Sequence, residues 1–110
     1  MSVIQVDERR YWGDASAIIY SIIEHGIELV GEKKNLVEYR ALYDDGYRAM
    51  GLEKNTVEEV REFRRIVKNY LDNEVFKEFK LDDTANSRIR KNVTELLGMI
   101  DESLAERERA

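Results

Sequence analysis

The chain has 110 residues, 43% hydrophobic and 37% charged, with a formal net charge of −5, no proline, no cysteine and one histidine, His25. The missing cysteines exclude disulfide frameworks, thiolate zinc sites, iron–sulfur clusters and thiol nucleophiles. A lone imidazole excludes a two-histidine metal site within one chain, and a Ser-His-Asp triad has to use His25.

The apolar share is ample for a core and the net charge is mild, which argues against wholesale disorder. One domain over residues 1–110 is expected, with 1–14 as an N-terminal arm and 105–110 frayed. The expected class is all-α: an antiparallel bundle of about four main helices with a short N-terminal strand or arm. No apolar run approaches the ~18 residues that span a bilayer. The start, Met1 to Asp7, has neither the basic region nor the long apolar stretch of a signal peptide, so a cytoplasmic chain without membrane contact is expected. Residues 1–52 hold six basic and nine acidic side chains and residues 53–110 twelve and fourteen, so neither half attracts nucleic acid or anionic lipid in general. Abundant Lys, Arg and Glu with one Gln and no Cys resembles thermophile composition.

In chain order, residues 3–6 suit a short strand or extended arm, and Asp14 suits an N-cap. Helical spacing over 15–30 places Ile18, Ile22 and Leu29 beside Ile19, Val30, Ile23 and Ile27, ending at Gly31. That arc covers nearly half the circumference, which predicts contact from two sides. Gly26 lies inside it at a cost of about 1 kcal/mol relative to alanine, which predicts a close helix crossing there. A second helix is expected over 36–50, with Leu36, Tyr39, Tyr43, Tyr47 and Met50 on one face and Gly51 as its end. Thr56 and Glu59 form a capping box for a third helix, along which Val60, Phe63, Val67 and Tyr70 make a packing seam. Phe76 and Phe79 fall out of that phase, so Asp72-Asn73 should break the helix. Residues 80–87 read as a loop, and a fourth helix over 87–108 carries Ile89, Val93, Leu96, Leu97, Ile100 and Leu104 on one stripe.

The leading functional expectation is a non-enzymatic protein-interaction module that self-associates as a dimer. Its surface would be Ile19, Ile23, Gly26 and Ile27 of the first helix with Tyr39, Tyr43, Tyr47 and Met50 of the second, since Tyr and Met suit interfaces. A first alternative is a regulator that binds nucleic acid or phosphate through Arg61, Arg64, Arg65 and Lys68, a ribbon at i, i+3, i+4 and i+7. Arg61 and Arg65 also suit i,i+3 pairing, with Glu58 and Glu62 respectively, on a solvated face. A second alternative is a Mg²⁺-dependent nucleotide hydrolase using Glu24, Glu28, Asp44 and Asp45; otherwise no cofactor is expected. His25 suits a boundary histidine bonded to Glu28 or Ser21.

Segment 47–60, with its Gly51-Leu52 turn and Thr56-Val57 helix start, resembles the helix-turn-helix of many transcriptional regulators. Tyr47 stands where that motif has a small residue. Glu53, Glu58, Glu59 and Glu62 would face phosphates, so a plain helical hairpin without specific DNA readout is expected. The MazG-like nucleotide pyrophosphatases set paired glutamates against a Glu-x-x-Asp pair. Here Ala41 replaces the acid before Asp44, and no Glu-Glu-x-x-Glu occurs on the first helix.

Overall fold

Strand β1 (Ser2–Gln5) buries Ser2 and Ile4 and leaves Val3 and Gln5 partly open, the alternation of a half-buried strand. The computed structural model describes residues 1–109. It pairs β1 antiparallel with β2 (Tyr11–Asp14) and parallel with β3 (Ala49–Gly51), in the order β2-β1-β3. Ile4 stands opposite Trp12 on one side and Met50 on the other, so three large apolar side chains form one inward row. That row joins one core cluster with side chains of the four helices: α1 (Ser16–Val30), α2 (Lys34–Asp44), α3 (Val57–Asp72) and α4 (Asp83–Arg109). A 3₁₀ turn, Val75–Phe79, links α3 to α4. The architecture is therefore α+β. It corrects the expected all-α bundle, and the expected arm over 1–14 is a β-hairpin.

The hairpin turn has no Gly, Pro or Asn. Asp7 makes it instead: its carboxylate accepts from the Arg9 and Arg10 N–H groups, both at 2.9 Å, beneath a Val6 N–H to Arg10 carbonyl bond of 2.9 Å. The second helix ends six residues before its expected end at Met50. Gly46, at φ 88°, closes α2 in a Schellman motif, with Tyr47 N–H on the Leu42 carbonyl at 2.9 Å and Gly46 N–H on the Tyr43 carbonyl at 3.1 Å. The chain then runs extended into β3, and Gly51 lies in that strand instead of capping a helix. The expected helical hairpin across 47–60 is accordingly a strand, a turn and a helix. Asp14 ends β2 as a buried carboxylate; Ala15, not Asp14, is the N-cap residue of α1.

Both outer strands have a carbonyl covered by a helix side chain, which blunts the sheet edges. Asn92 Nδ2 donates to the Gly13 carbonyl at 2.8 Å, and the Tyr39 hydroxyl donates to the Gly51 carbonyl at 3.1 Å.

The capping box of α3 is present, and its seam of Val60, Phe63, Val67 and Tyr70 is buried, with Ile66 and Leu71. The expected crossing at Gly26 is there too. A Cβ on Gly26 would lie 2.8 Å from Ile66 Cδ1 and 3.1 Å from its Cγ2, so α3 seats Ile66 on the bare backbone of α1. Helix α4 starts four residues earlier than expected, because Asp82 caps it: its carboxylate accepts from Ala85 N–H at 2.8 Å.

The last turn of α4, where fraying was expected, is helical to Arg109 and tied back to the hairpin. The Arg10 guanidinium meets Glu106 at 2.7 Å, Asp7 at 2.7 Å and Glu102 at 3.2 Å, and Arg9 pairs with Glu106. Arg107 donates to the carbonyls of Asn55 and Leu52 at 3.0 Å and of Val6 at 3.4 Å. No helix among the described residues is long and apolar enough to cross a membrane.

Two outcomes follow. Gly26→Ala gains about 1 kcal/mol of helix propensity but forces an overlap costing about 1–3 kcal/mol, a net loss of roughly 1 kcal/mol. Ile66→Val removes the nearest methyl, so in denaturant unfolding the double variant loses less than the two single losses added together; strict additivity would show that the crossing is not sterically limited.

The second outcome concerns acid. Hydrogen bonds from Arg10 and then Arg9 hold the Glu106 carboxyl down to about 2, against an ordinary value of 4.5. On acidification the unfolded chain takes this proton first, so the stability that Glu106 contributes is present above about pH 4.5 and is lost as pH falls towards about 2. Glu106→Gln should flatten the acid limb of the unfolding midpoint against pH; an unchanged limb would remove this clasp from the acid response.

Candidate functional site

Helix α1 has two working faces. Ile18, Ile19, Ile22 and Ile23 enter the core. One stripe around, Ser16, Ala17, Tyr20, Ser21 and Glu24 recur at spacings of one, three and four residues and line a cavity of about 400 Å³. Tyr43, from the last turn of α2, and Glu78 and Phe79, from the 3₁₀ turn, complete its wall.

The 3₁₀ turn is held in place at several points. Glu74 and Lys80, on either side of it, adopt left-handed φ values of 49° and 55°. Phe76 is buried with its ring 6.2 Å from that of Tyr70. The Arg90 guanidinium lies 5.3 Å over the Phe76 ring and pairs with Glu74 at 2.6 Å. Glu78 and Phe79 thereby face α1.

A relay of hydroxyls crosses the floor. The Tyr70 hydroxyl donates to Ser21 Oγ at 3.0 Å, and Ser21 donates to Glu78 Oε1 at 3.0 Å. Burial pushes the Tyr70 phenol up to about 12, with the Ser21 bond opposing the rise. At the rim the Tyr20 hydroxyl donates to Asp44 Oδ1 at 2.9 Å; that bond, then burial and the nearby charges of Asp44 and Glu24, raise its pKa. Two polar atoms are left over. The Tyr43 hydroxyl is buried without an aligned hydrogen bond, although Ser2 lies close, and burial raises its pKa. Glu24 Oε1 is buried and also lacks one; its nearest cation, Arg40 Nη1, is 3.7 Å away. Buried polar atoms normally find partners.

The structure places the residues expected from sequence as follows. Ile19, Ile23, Gly26, Tyr39 and Met50 are buried inside the chain, and Ile27 and Tyr43 are partly buried against its core. Only Tyr47, 63% exposed, is open, so these eight residues do not form one outward face for a dimer. The tyrosine row is broken because Tyr47 follows the Gly46 turn.

Of the basic ribbon, Arg61 pairs with Glu108 at 2.6 Å, Arg64 with Asp101, and Lys68 with Asp72 at 2.9 Å, while Arg65 is exposed. Two of these partners lie on α4, where i,i+3 pairing with Glu58 and Glu62 was expected.

The acidic residues Glu24, Glu28, Asp44 and Asp45 do not converge as a metal site requires. Arg40 stands between Glu24 and Glu32, Tyr20 takes Asp44, and Glu28 and Asp45 are exposed. No group of three His, Asp or Glu side chains placed to hold a metal ion occurs among the described residues. His25 Nε2 meets Asn69 Oδ1 at 2.7 Å instead of Glu28 or Ser21, with its ring edge-on to Tyr70.

A second hollow, of about 550 Å³, lies beside Asp14, Arg88 and Asn92. Its buried carboxylate is already satisfied: Asp14 accepts from Ala15 N–H at 2.6 Å and from Asn92 Nδ2 at 2.8 Å. The α1 pocket combines a cavity with two buried polar atoms that lack a hydrogen bond; a smaller hollow of about 300 Å³ beside the hairpin has one, Ser103 Oγ. Sequence reasoning had singled out Glu24 and Tyr43 for other reasons and missed Tyr20, Ser21, Glu78 and Phe79. The i+4 row Ser16-Tyr20-Glu24 was the available signal on α1, but nothing local announced the 3₁₀ turn that brings Glu78 and Phe79 to it.

Comparison with protein-family models, curated proteins and solved structures gave no match.

If the Tyr43 hydroxyl is held out of water without a bond, Tyr43→Phe relieves a desolvation cost of about 1–3 kcal/mol in part. The expected outcome is a free protein at least as stable as the parent, up to about 1 kcal/mol more so. A loss above that size in chemical denaturation would show that the hydroxyl has a partner in the folded chain.

Proposed function

We propose that this chain is a binding module that takes a small, partly apolar molecule into the pocket between α1, α2 and the 3₁₀ turn. The observation that carries the reading is a pair of buried atoms without an aligned hydrogen bond, Tyr43 Oη with Ser2 close by and Glu24 Oε1 with Arg40 at 3.7 Å, at a cavity of about 400 Å³. A cavity with an apolar lining and a few convergent polar groups is the usual form of a small-ligand site. Unsatisfied groups beside it weaken the empty protein and are satisfied when a ligand arrives. Elsewhere the tyrosines of the core are satisfied: Tyr39 and Tyr70 each have bonded hydroxyls.

Benzyl alcohol, which has one ring and one hydroxyl, is a suitable first probe. In two-dimensional amide NMR it should move the signals of Tyr20, Ser21, Glu24, Glu78 and Phe79 together, with a dissociation constant on the order of millimolar for so small a molecule. Ala17 is exposed and lines the cavity, so Ala17→Trp should fill the pocket and abolish those shifts while leaving the fold intact. Shifts scattered over the surface, or indifferent to Ala17→Trp, would overturn the proposal.

A further inference from the structure

We infer that the ligand of this pocket is an organic cation: a primary ammonium group carried on a compact apolar or aromatic body. The inference rests on the pocket reading above and comes from the direction of the hydrogen bonds around the cavity.

Two of the hydroxyl protons at the wall are already committed. The Tyr20 proton goes to Asp44 and the Ser21 proton to Glu78. What remains open at those side chains is lone pairs. Glu24 adds a carboxylate, whose oxygens accept hydrogen bonds. Its Oε1 has no hydrogen bond, and Arg40, at 3.7 Å, is beyond hydrogen-bond reach while also facing Glu32 at 4.0 Å. The Tyr43 hydroxyl can accept as readily as donate. No Lys or Arg side chain lines the cavity among the described residues. Apart from the Tyr43 and Ser16 hydroxyls the pocket thus offers acceptors, and the charges on and beside its wall are Glu24, Glu78 and Asp44 against Arg40.

An alkylammonium group supplies what is missing: three donors, no acceptor and a positive charge. The aromatic residues agree with this, since Tyr20, Tyr43 and Phe79 line the cavity and aromatic rings attract cations at their faces. A divalent metal ion is the wrong cation, because it needs several carboxylate oxygens converging on one point. Here the carboxylates are held apart by separate partners, and no three acidic or imidazole side chains among the described residues gather for one. An anion would meet Glu24 and Glu78 with no basic residue in the lining to offset them.

The test uses the full chain and three probes of one shape that differ in charge: benzylamine, benzyl alcohol and benzoate. Amide NMR titrations at neutral pH and low salt are expected to show benzylamine binding at Tyr20, Ser21, Glu24 and Glu78 about threefold to tenfold more tightly than benzyl alcohol, with benzoate silent there. Added salt should shrink the preference for the amine. Glu24→Gln and Glu78→Gln should each reduce it towards parity. Two variants are used so that a folding defect in one leaves the other to decide. If benzyl alcohol matches or exceeds benzylamine at these amides, the cation inference falls and the pocket reading stands. If none of the three probes moves them, both fall.

Discussion

The contact of Ile66 with the bare backbone at Gly26 sets how closely α1 and α3 approach, and the other contacts between them follow from it. The two helices run antiparallel through this point. On one side of it His25 meets Asn69, and further along Tyr70 reaches Ser21. Each is a polar contact between helices that otherwise pack through apolar side chains, and each lies on the face that the crossing brings together. Ser21 then hands the chain of hydrogen bonds on to Glu78, which fixes how the 3₁₀ turn faces α1. The geometry of the pocket is therefore inherited from a crossing more than a helical turn away, at a residue that carries no side chain.

Tyr39, Tyr70 and Tyr43 show how structural and functional uses of one side chain differ. Burial drives the phenols of Tyr39 and Tyr70 up to about 12, so both stay protonated, and both give that proton to a defined acceptor. Tyr39 also accepts from Asn55, which joins α2, the edge of β3 and the approach to α3 at one oxygen. Tyr43 is desolvated in the same sense, but its hydroxyl has no aligned bond, with only Ser2 close by. A hydroxyl in that position contributes less to the folded chain than a phenyl hydrogen would. The same distinction separates Asp14, buried and fully bonded at the end of β2, from Glu24, buried at one oxygen only.

Elements built from near neighbours were legible in the sequence. The α3 capping box needs only Thr56 and Glu59, and its seam needs only helical spacing. The crossing at Gly26 was readable because a glycine inside an apolar arc is costly unless something approaches it. Of the sheet only its first strand was in view, as a short strand or arm over residues 3–6; the pairing of β2 and β3 with it was not. The hairpin turn lacks the usual turn residues because the Asp7 carboxylate closes it. Strand β3, Ala-Met-Gly, has little intrinsic strand preference and exists because β1 lies beside it.

The tyrosine row then extended a helical pattern across the place where Gly46 ends the helix. Asp44-Asp45-Gly46 carried the stop signal, but the apolar periodicity ran through it. Of the site, one stripe of α1 was visible in outline as a polar face. The facing wall was not, because residues 75–79 are placed by Phe76 packing on Tyr70 and by Arg90 clamping Glu74, both contacts across the fold.

The clasp between the hairpin and the end of α4 has a kinetic consequence. Arg10 and Glu106 are 96 residues apart in sequence. Bringing them together by chance carries a loop-closure cost that grows with the logarithm of their separation, and these exposed ion pairs repay little of it individually. If they form only after the intervening helices have docked, they are absent from the rate-limiting step of folding. Interactions missing from the transition state leave the folding rate almost untouched and slow unfolding instead. The clasp therefore acts on the lifetime of the folded molecule: it sets how long the ends stay closed, while the helical core sets how fast the chain reaches that state.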